Sequence, residues 1–282
     1  MTRSFKQELT AVFGQPVAEN PTQVMAEAAY RSLGLDWRYL TIEVRPEDLH
    51  AAVRGAVAMG FRGLNCTIPH KVAVVALLDD LTPAARAIGA VNCVAIRTGR
   101  MLGENTDGKG FLQSVQTLGP VTGKKAVLLG AGGAARAIGV ELLLAGVASI
   151  RVVNRSEARG QELLQVLEAA APGRSTFERW QGDYRIPPGT DYLINATSIG
   201  LYPDTEARVP LDLTTLERST VVCDIIPNPP RTRLIREAQD KGCVVLDGLG
   251  MLVNQGIIGI ELWSGQRPDA AVMRQALLEV FG

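Results

Sequence analysis

The chain has 282 residues, of which 46% are hydrophobic and 21% are charged, as in an ordinary globular protein, so wholesale disorder is excluded. Its 29 Lys and Arg residues balance 29 Asp and Glu residues, which argues against binding to nucleic acid or an anionic membrane through bulk charge. The four cysteines include no CxxC pair, so we expect buried free thiols and no metal site. No signal peptide or membrane span is apparent, and the sequence predicts a cytoplasmic protein.

The first hundred residues alternate between helical and strand patterns, although less regularly than the rest of the chain. Helical spacing occurs at 22–33 and 46–59, and strand patterns occur at 37–44, 61–68 and 90–96. The turn-forming residues of GENTDGKG predict a boundary near 103–110. We therefore expect an α/β domain over residues 1–109.

The middle of the chain has a regular alternation of strands and helices. Strands are predicted at 125–129, 149–154, 191–197, 220–226 and 243–248, and helices at 138–146, at 157–170 and after Pro230. This order is typical of a parallel sheet with helices on both faces. It predicts a second domain over 110–250. The remaining residues, 251–282, have a helical pattern and are expected to rejoin the first domain.

A glycine-rich turn joins the first strand of this second domain to the helix that follows it. Gly130, Gly132 and Ala135 of GAGGAARA fit the G-x-G-x-x-G/A pattern of dinucleotide-binding folds. The first glycine permits a tight turn, the second permits close approach to a pyrophosphate, and the helix N-terminus offers free N–H groups. The segment predicts a Rossmann-type domain whose turn binds the cofactor through Gly130, Ala131, Gly132, Gly133 and Ala134. A tight turn without a ligand is the alternative.

The end of the second strand indicates which dinucleotide is bound. NAD-binding proteins usually have an acidic residue there, whereas this chain has Asn154, Arg155 and Ser156, followed by Arg159. Guanidinium groups pair well with a 2′-phosphate, so NADP is favoured and NAD is kept as the weaker alternative. Solvated arginines at a helix start are the structural alternative. Thr197 and Ser198 of NATSIG are predicted to line the cofactor pocket, against the alternative of an ordinary turn.

Three polar clusters in the first domain adjoin apolar strands: NCTIPHK (65–71), GAVNCV (89–94) and GENTDG (103–108). By spacing alone, Lys71 and Asp107 fit a surface ion pair as well as a catalytic pair. Taken together with GAGGAARA, VVNRSEAR, NATSIGL and DGLGMLVNQG, however, these clusters make seven ordered blocks, and along nearly its whole length the sequence resembles the shikimate dehydrogenase family. The resemblance implies two α/β domains around a cleft and hydride transfer between NADP and a polyhydroxylated cyclohexene carboxylate.

The resemblance also implies roles for individual residues. Lys71 and Asp107 would be the catalytic pair, since oxidation of an alcohol needs a proton acceptor beside the departing hydride. Which of the two moves the proton stays open. The residues that would bind the substrate are Asn20, Thr22, Thr67, Asn92 and Gln255, and Gly248 and Met251 would contact the cofactor. Asn65 is interpreted as a turn-stabilising residue.

The chain departs from the family pattern at two places. The family carries Ser-x-Ser where this chain has Asn20, Pro21 and Thr22, and Glu19 precedes them. Asparagine and threonine can still donate hydrogen bonds to a substrate carboxylate, although a carboxylate at Glu19 would oppose an anion. The family often has a tyrosine where Pro227 stands, and proline offers neither a hydroxyl nor an N–H group. These departures put the ring substituents of the substrate in doubt.

Three functions are therefore weighed. The first is NADP-dependent reduction of 3-dehydroshikimate to shikimate, or the same reaction on a close analogue. The second is a dehydrogenase of the same fold for another cyclic polyol, such as quinate or an amino-substituted analogue. The third is a non-enzymatic NADP sensor, which Lys71 and Asp107 disfavour because a sensor needs no proton relay. The partner expected in each enzymatic case is a small cyclic polyol. The oligomeric state is left open, with a homodimer among the alternatives.

Overall fold

The computed structural model describes residues 5–281, and the chain divides into two compact units. Among the described residues, the first unit comprises 5–106 together with 255–280, and the second comprises 107–254 together with Phe281.

Strands and helices alternate through most of the described chain. In chain order, the strands are β1 (Glu8–Gly14), β2 (Trp37–Glu43), β3 (Gly63–Cys66), β4 (Asp80–Leu81), β5 (Cys93–Arg97), β6 (Arg100–Glu104), β7 (Lys125–Leu129), β8 (Ser149–Asn154), β9 (Ser175–Arg179), β10 (Tyr184–Arg185), β11 (Tyr192–Asn195), β12 (Leu211–Asp212), β13 (Val221–Asp224) and β14 (Val245–Leu246). The helices are α1 (Thr22–Ser32), α2 (Leu49–Ala58), α3 (His70–Ala73), α4 (Pro83–Ile88), α5 (Thr106–Gln116), α6 (Gly133–Leu144), α7 (Glu157–Ala170), α8 (Arg233–Asp240), α9 (Gly248–Ser264) and α10 (Ala270–Phe281).

The first unit contains a six-stranded mixed sheet in the order β2-β1-β3-β5-β6-β4. β1 pairs in parallel with β2 and β3, whereas β5 is antiparallel to both β3 and β6. Side chains such as Phe13, Leu64 and Val94 form part of a buried cluster in this unit. Gly63 is required in β3 because a side-chain carbon there would overlap the indole of Trp263 from α9. The sheet therefore fixes the positions of the polar residues that follow β1, β3 and β6.

The ends of α4 show how local sequence sets the boundaries of an element. The Thr82 hydroxyl accepts a hydrogen bond from the N–H of Ala85 at 3.2 Å, which satisfies one of the free donors of the first turn. Pro83 occupies the first helical position, where its missing N–H costs nothing. Gly89 ends the helix in the left-handed conformation at φ +67°. These capping residues therefore determine where the helix begins and ends.

The second unit contains a six-stranded parallel sheet in the order β14-β13-β11-β7-β8-β9. The central strands are short apolar runs, such as KAVLL in β7, as expected for strands covered on both faces. The carboxyl ends of β7, β8, β11 and β13 reach the same edge of the sheet, which is where ligands bind in folds of this type. The glycine-rich turn, the arginines after β8 and the NATSIG segment all follow these ends.

Most elements predicted for the second unit are confirmed, and β7, β8 and α7 have the predicted bounds. The pattern missed β9, β10 and β12 in this unit, and β1, β4 and β6 in the first. The interpretation of GENTDGKG as a turn was wrong. Its first residues end β6, and α5 begins at Thr106. Gly108 lies inside that helix because a side-chain carbon there would overlap the backbone of Ala137 in α6, so close helix packing, not a turn, accounts for the glycine.

The four cysteines are buried thiols outside any disulfide, as predicted. Burial raises the pKa of the Cys66 thiol to about 12, so it stays protonated near neutral pH. Within residues 5–281, no helix combines the length and the hydropathy that a bilayer crossing requires.

Candidate functional site

A chain of hydrogen bonds between neutral side chains runs through the first unit. The phenol of Tyr39 on β2 donates to Asn65 Oδ1 at 2.7 Å, and Asn65 Nδ2 donates to the carbonyl oxygen of Asn92 at 3.0 Å. Tyr39 is completely buried, and burial raises its pKa well above the usual value, so the phenol is a neutral donor. The interpretation of Asn65 as a turn residue was wrong, since it lies within β3.

Asn92 connects this chain to two other buried polar residues. Its Oδ1 accepts from the backbone N–H of Thr106 at 2.7 Å, and its Nδ2 donates to Thr106 Oγ1 at 2.9 Å. Asn92 Nδ2 also donates to Gln255 Oε1 at 3.4 Å, and Gln255 Oε1 accepts a second hydrogen bond from Thr106 Oγ1 at 3.3 Å. All three residues are at most 5% exposed. The structure thus brings together two predicted substrate-binding residues, Asn92 and Gln255, that are 163 positions apart.

The segment that replaces Ser-x-Ser forms the start of α1. Asn20 Oδ1 accepts a hydrogen bond from the N–H of Thr22 at 3.0 Å, so this side-chain oxygen is used by the backbone. The Thr22 side chain is buried, and it opposes the rise in the pKa of the Tyr39 phenol. Glu19 is exposed. Thr22 therefore lies beside the neutral hydrogen-bonded chain, and Asn20 organises the helix start.

Lys71 lies in the short helix α3, which is held in place by hydrogen bonds to Val44 and to Val91. The side chain of the preceding His70 is buried and bonds to the carbonyl oxygen of Val44 at 2.8 Å. The carbonyl oxygen of Lys71 accepts from the N–H of Val91 at 2.7 Å. The Lys71 side chain is half-buried, so its ammonium sits on a fixed backbone without being sealed in the core. Asp107 belongs to the second unit, where it is buried in the first turn of α5.

Thr67 is fixed by close packing against the end of β1. Its N–H donates to the carbonyl oxygen of Phe13 at 2.9 Å. A side-chain carbon at Gly14 would overlap the Thr67 methyl group, so glycine is required for this approach. The hydroxyl of Thr67 therefore has a defined position, four residues before Lys71.

In the second unit, the glycine-rich turn has the geometry that a pyrophosphate requires. Gly130 has φ +102°, a conformation that favours glycine, and a side-chain carbon there would crowd Ala196 and Thr197. Gly132 precedes α6 in extended conformation, without a side-chain cap, and the space above its Cα is open. Ala135 is fully buried against the sheet. The free N–H groups of Gly133 and its successors can therefore receive an anion.

The segment after β8 presents positive charge at the start of α7. Asn154 Nδ2 donates to the carbonyl oxygen of Ser156 at 2.8 Å, and Ser156 Oγ accepts from the N–H of Arg159 at 3.4 Å to cap α7. Arg155 and Arg159 are exposed, and neither side chain bonds to another described residue. Unpaired guanidinium groups beside an uncapped glycine turn fit a dinucleotide that carries a 2′-phosphate.

Two loops at the ends of β11 and β13 are held together by a buried carboxylate. Asp224 accepts hydrogen bonds from Asn195 Nδ2 at 3.1 Å and from Thr232 Oγ1 at 2.8 Å. Asn195 Oδ1 in turn accepts from Thr197 Oγ1 at 2.7 Å, while Ser198 is exposed. Burial raises the pKa of Asp224 to about 6, against the effect of its hydrogen bonds. The carboxylate thus fixes the loop that contains the predicted cofactor residues Thr197 and Ser198.

The start of α9 is packed against the second of these loops. A side-chain carbon at Gly248 would overlap the carbonyl group of Ile226, so this glycine permits close backbone contact. Asp247 Oδ1 accepts from the N–H of Leu249 at 3.1 Å and caps the helix. Met251 is buried.

Three residues that organise these arrangements belong to no predicted set of site residues: Tyr39, Thr106 and Asp224. An inward-facing tyrosine in a predicted strand was a usable signal, because a buried phenol requires a partner. Thr106 and Asp224 act through residues distant in sequence, and no local pattern identified those partners.

Comparison with known proteins places the chain in a family. The model of the shikimate dehydrogenase substrate-binding domain matches residues 12–94, and that of the shikimate 5′-dehydrogenase C-terminal domain matches residues 248–278. A shikimate dehydrogenase (NADP(+)) from Methanopyrus kandleri is 40% identical over 275 residues, covering 96% of this chain and 95% of the relative.

Two solved structures extend the comparison. The shikimate 5-dehydrogenase of Thermus thermophilus in complex with NADP(H) and shikimate is 35% identical, with a TM-score of 0.85, and the match covers 97% of this chain and 99% of the other. The ligand-free 5-ketofructose reductase of Gluconobacter sp. strain CHM43 is 51% identical, with a TM-score of 0.92, over 99% of this chain and 100% of the other.

Proposed function

Because the chain belongs to the shikimate dehydrogenase family, we propose that it interconverts a ketone and a secondary alcohol on a polyhydroxylated substrate, with 3-dehydroshikimate and shikimate as the first candidate pair. Relatives named shikimate dehydrogenase (NADP(+)) are oxidoreductases that act on a secondary alcohol. The observation that carries the proposal is the neutral hydrogen-bonded chain from Tyr39 to Gln255, in the same unit as Lys71. Hydroxyl and amide groups both donate and accept, as recognition of a polyol requires.

Each candidate residue has a task in this reaction. When bound, NADPH supplies a hydride to the carbonyl carbon. In the direction of reduction, the ammonium of Lys71 donates a proton to the oxygen that gains the electron pair, and in oxidation its neutral amine takes the proton back. Asp107 is proposed as the second residue of the catalytic pair. Thr67, Asn92 and Gln255 fix the substrate hydroxyls, which orients one carbonyl face.

The cofactor assignments belong to the same proposal. The free N–H groups at the start of α6 hold the pyrophosphate, and Arg155 and Arg159 bind the 2′-phosphate. Thr197, held by Asn195, and the neighbouring Ser198 line the part of the site beside the nicotinamide, with Gly248 and Met251 at the start of α9.

A second candidate substrate is an uncharged keto sugar such as 5-ketofructose. Two observations favour it: the chain is 51% identical to a 5-ketofructose reductase, and Asn20 uses its side-chain oxygen on the backbone where the family pattern has a hydroxyl. The side chains of the hydrogen-bonded chain are uncharged, which suits a neutral polyol, whereas a carboxylate is held best by charged or multiple donors. Quinate and amino-substituted analogues remain alternatives of the cyclic type.

A substrate panel tests the proposal. Reduction of 3-dehydroshikimate and of 5-ketofructose, and oxidation of shikimate and quinate, are measured with NADP and NAD cofactors, and the kcat/KM values are compared. The shikimate assignment predicts the largest kcat/KM on 3-dehydroshikimate. A value at least about 100-fold larger for 5-ketofructose would reject that assignment in favour of the second, since a difference of this size is about 2.7 kcal/mol of transition-state binding. Binding of NADP without turnover of any polyol would support the sensor alternative.

A further inference from the structure

A third arginine lies at the carboxyl end of the strand beside β8. β9 runs parallel to β8, and Arg179 at its end is the register partner of Asn154. The backbone N–H of the next residue, Trp180, donates to the carbonyl oxygen of Asn154 at 3.0 Å, which extends the strand pairing past the end of β9. Because neighbouring strands are about 4.8 Å apart, the backbone of Arg179 lies next to the point where Arg155 follows β8.

The alternation of β9 places the Arg179 side chain on the face covered by α7. Phe177 packs against α7, since a side-chain carbon at Gly160 would overlap its ring. Side chains two positions apart share a face of a strand, so Arg179 projects to the side of Phe177, while Trp180 enters the core. The first turn of α7, which includes Arg159, lies on this same side.

The charge at this corner of the unit is not neutralised within the described chain. Arg155, Arg159 and Arg179 are all exposed, and none of the three side chains forms an ion pair or a hydrogen bond with a described residue. By contrast, Arg151 on β8 is paired with Glu178 at 2.9 Å. Three guanidinium groups that converge without a carboxylate partner repel one another and favour a bound anion.

We propose that Arg179 is a specificity-determining residue that binds the 2′-phosphate of NADP together with Arg155 and Arg159. The inference rests on the proposed cofactor site, which it extends to a second strand. A phosphate at this position takes charge-assisted hydrogen bonds from both strand ends. NAD has a hydroxyl in its place and gains little from the third guanidinium.

The experiment measures binding of NADP⁺ and NAD⁺ to the full chain by isothermal titration calorimetry. The variants are Arg179→Gln, Arg155→Gln and, as a matched control, Arg174→Gln. Arg174 is also exposed but precedes the amino end of β9, about 16 Å away at about 3.3 Å per residue. We expect R179Q to raise the Kd for NADP⁺ about fivefold, the size of one exposed ion pair, and the Kd for NAD⁺ by less than about twofold. R174Q should change neither.

The outcomes separate this inference from the cofactor site on which it rests. If R155Q weakens NADP⁺ binding selectively and R179Q does not, the site stands and the role of Arg179 is refuted. If neither variant discriminates between the cofactors, the assignment of the 2′-phosphate site is itself wrong. Equal weakening of NADP⁺ and NAD⁺ by R179Q, or an effect of R174Q as large as that of R179Q, would also overturn the proposal.

Discussion

Replacing Asp224 by asparagine is expected to change how the stability of the second unit depends on pH. The side chain of Asp224 is 1% exposed and accepts three hydrogen bonds: from Asn195, from Thr232 and from the N–H of Ile226 at 3.2 Å. These bonds favour the ionised form, but burial outweighs them and raises the pKa from 3.8 to about 6. Asparagine has a similar size and keeps one acceptor oxygen, but it does not titrate.

The sign of the effect follows from the direction of the pKa shift. The folded protein binds the proton of Asp224 more tightly than the unfolded chain, so protonation stabilises the fold below the unfolded pKa. This stabilisation is lost as the pH rises through about 6, and at neutral pH the difference corresponds to about 3 kcal/mol. Between pH 7.5 and pH 5.0, the free energy of unfolding of the unmodified protein should therefore increase by about 1.4 kcal/mol relative to D224N.

Urea denaturation at pH 7.5, 6.5, 5.5 and 5.0, followed by circular dichroism and tryptophan emission, measures this difference. All other carboxyl groups are present in both proteins, so their titration cancels in the comparison. Asp204→Asn, at an exposed aspartate of the same unit, controls for the loss of one negative charge. The reasoning would be refuted if, from pH 7.5 to pH 5.0, the free energy of unfolding of the unmodified protein stayed constant or fell relative to that of D224N, because this would mean that the hydrogen bonds offset or outweigh burial.

Two further variants test the chemistry and the packing. Lys71→Ala should lower kcat by about 10²–10⁴-fold while the Kd for NADP⁺ in calorimetry stays within about twofold, and loss of cofactor binding in step with turnover would contradict a proton-transfer role. Gly160→Ala should lower the free energy of unfolding in urea by about 1–3 kcal/mol, because the added methyl group overlaps the ring of Phe177. Gly55→Ala in α2 is the matched control: its methyl group would lie 3.9 Å from Met59 Cε, so it should be neutral or stabilising.

The elements best predicted from the sequence are those whose apolar pattern is continuous and bounded by turn residues. β7 and β8 are such runs, and their bounds in the structure are the predicted ones. β9, with the sequence STFER, buries little of its surface at the edge of the sheet, and its polar pattern resembles a loop. The start of α5 was predicted as a turn for a different reason. Gly108 permits close packing of α5 against α6, and a short stretch of sequence does not show which helices pack together.

The same distinction applies to the candidate site. A glycine pattern identifies the turn after β7, because the conformation of Gly130 at φ +102° is a local requirement. The hydrogen-bonded chain of the first unit is not local. Asn92 meets Gln255 only because the sheet and α9 are folded together, and motif blocks identified these residues without revealing that they touch. The sequence therefore identified candidate residues more readily than the partners that position them.

The two proposed binding sites differ in chemistry, and this difference bears on the choice of substrate. The buried chain from Tyr39 to Gln255 consists of hydroxyls and amides, which carry no net charge and are proposed to recognise the placement of hydroxyl groups. The arginines after β8 and β9, proposed to bind a phosphate, lie on other elements. We therefore expect that substitutions between hydroxyl and amide side chains at the start of α1 can change which polyol is accepted and leave the arginine site unchanged. We therefore expect the groups near Asn20 and Thr22 to decide which polyol is accepted by this chain, which is 51% identical to a 5-ketofructose reductase and 40% identical to a shikimate dehydrogenase.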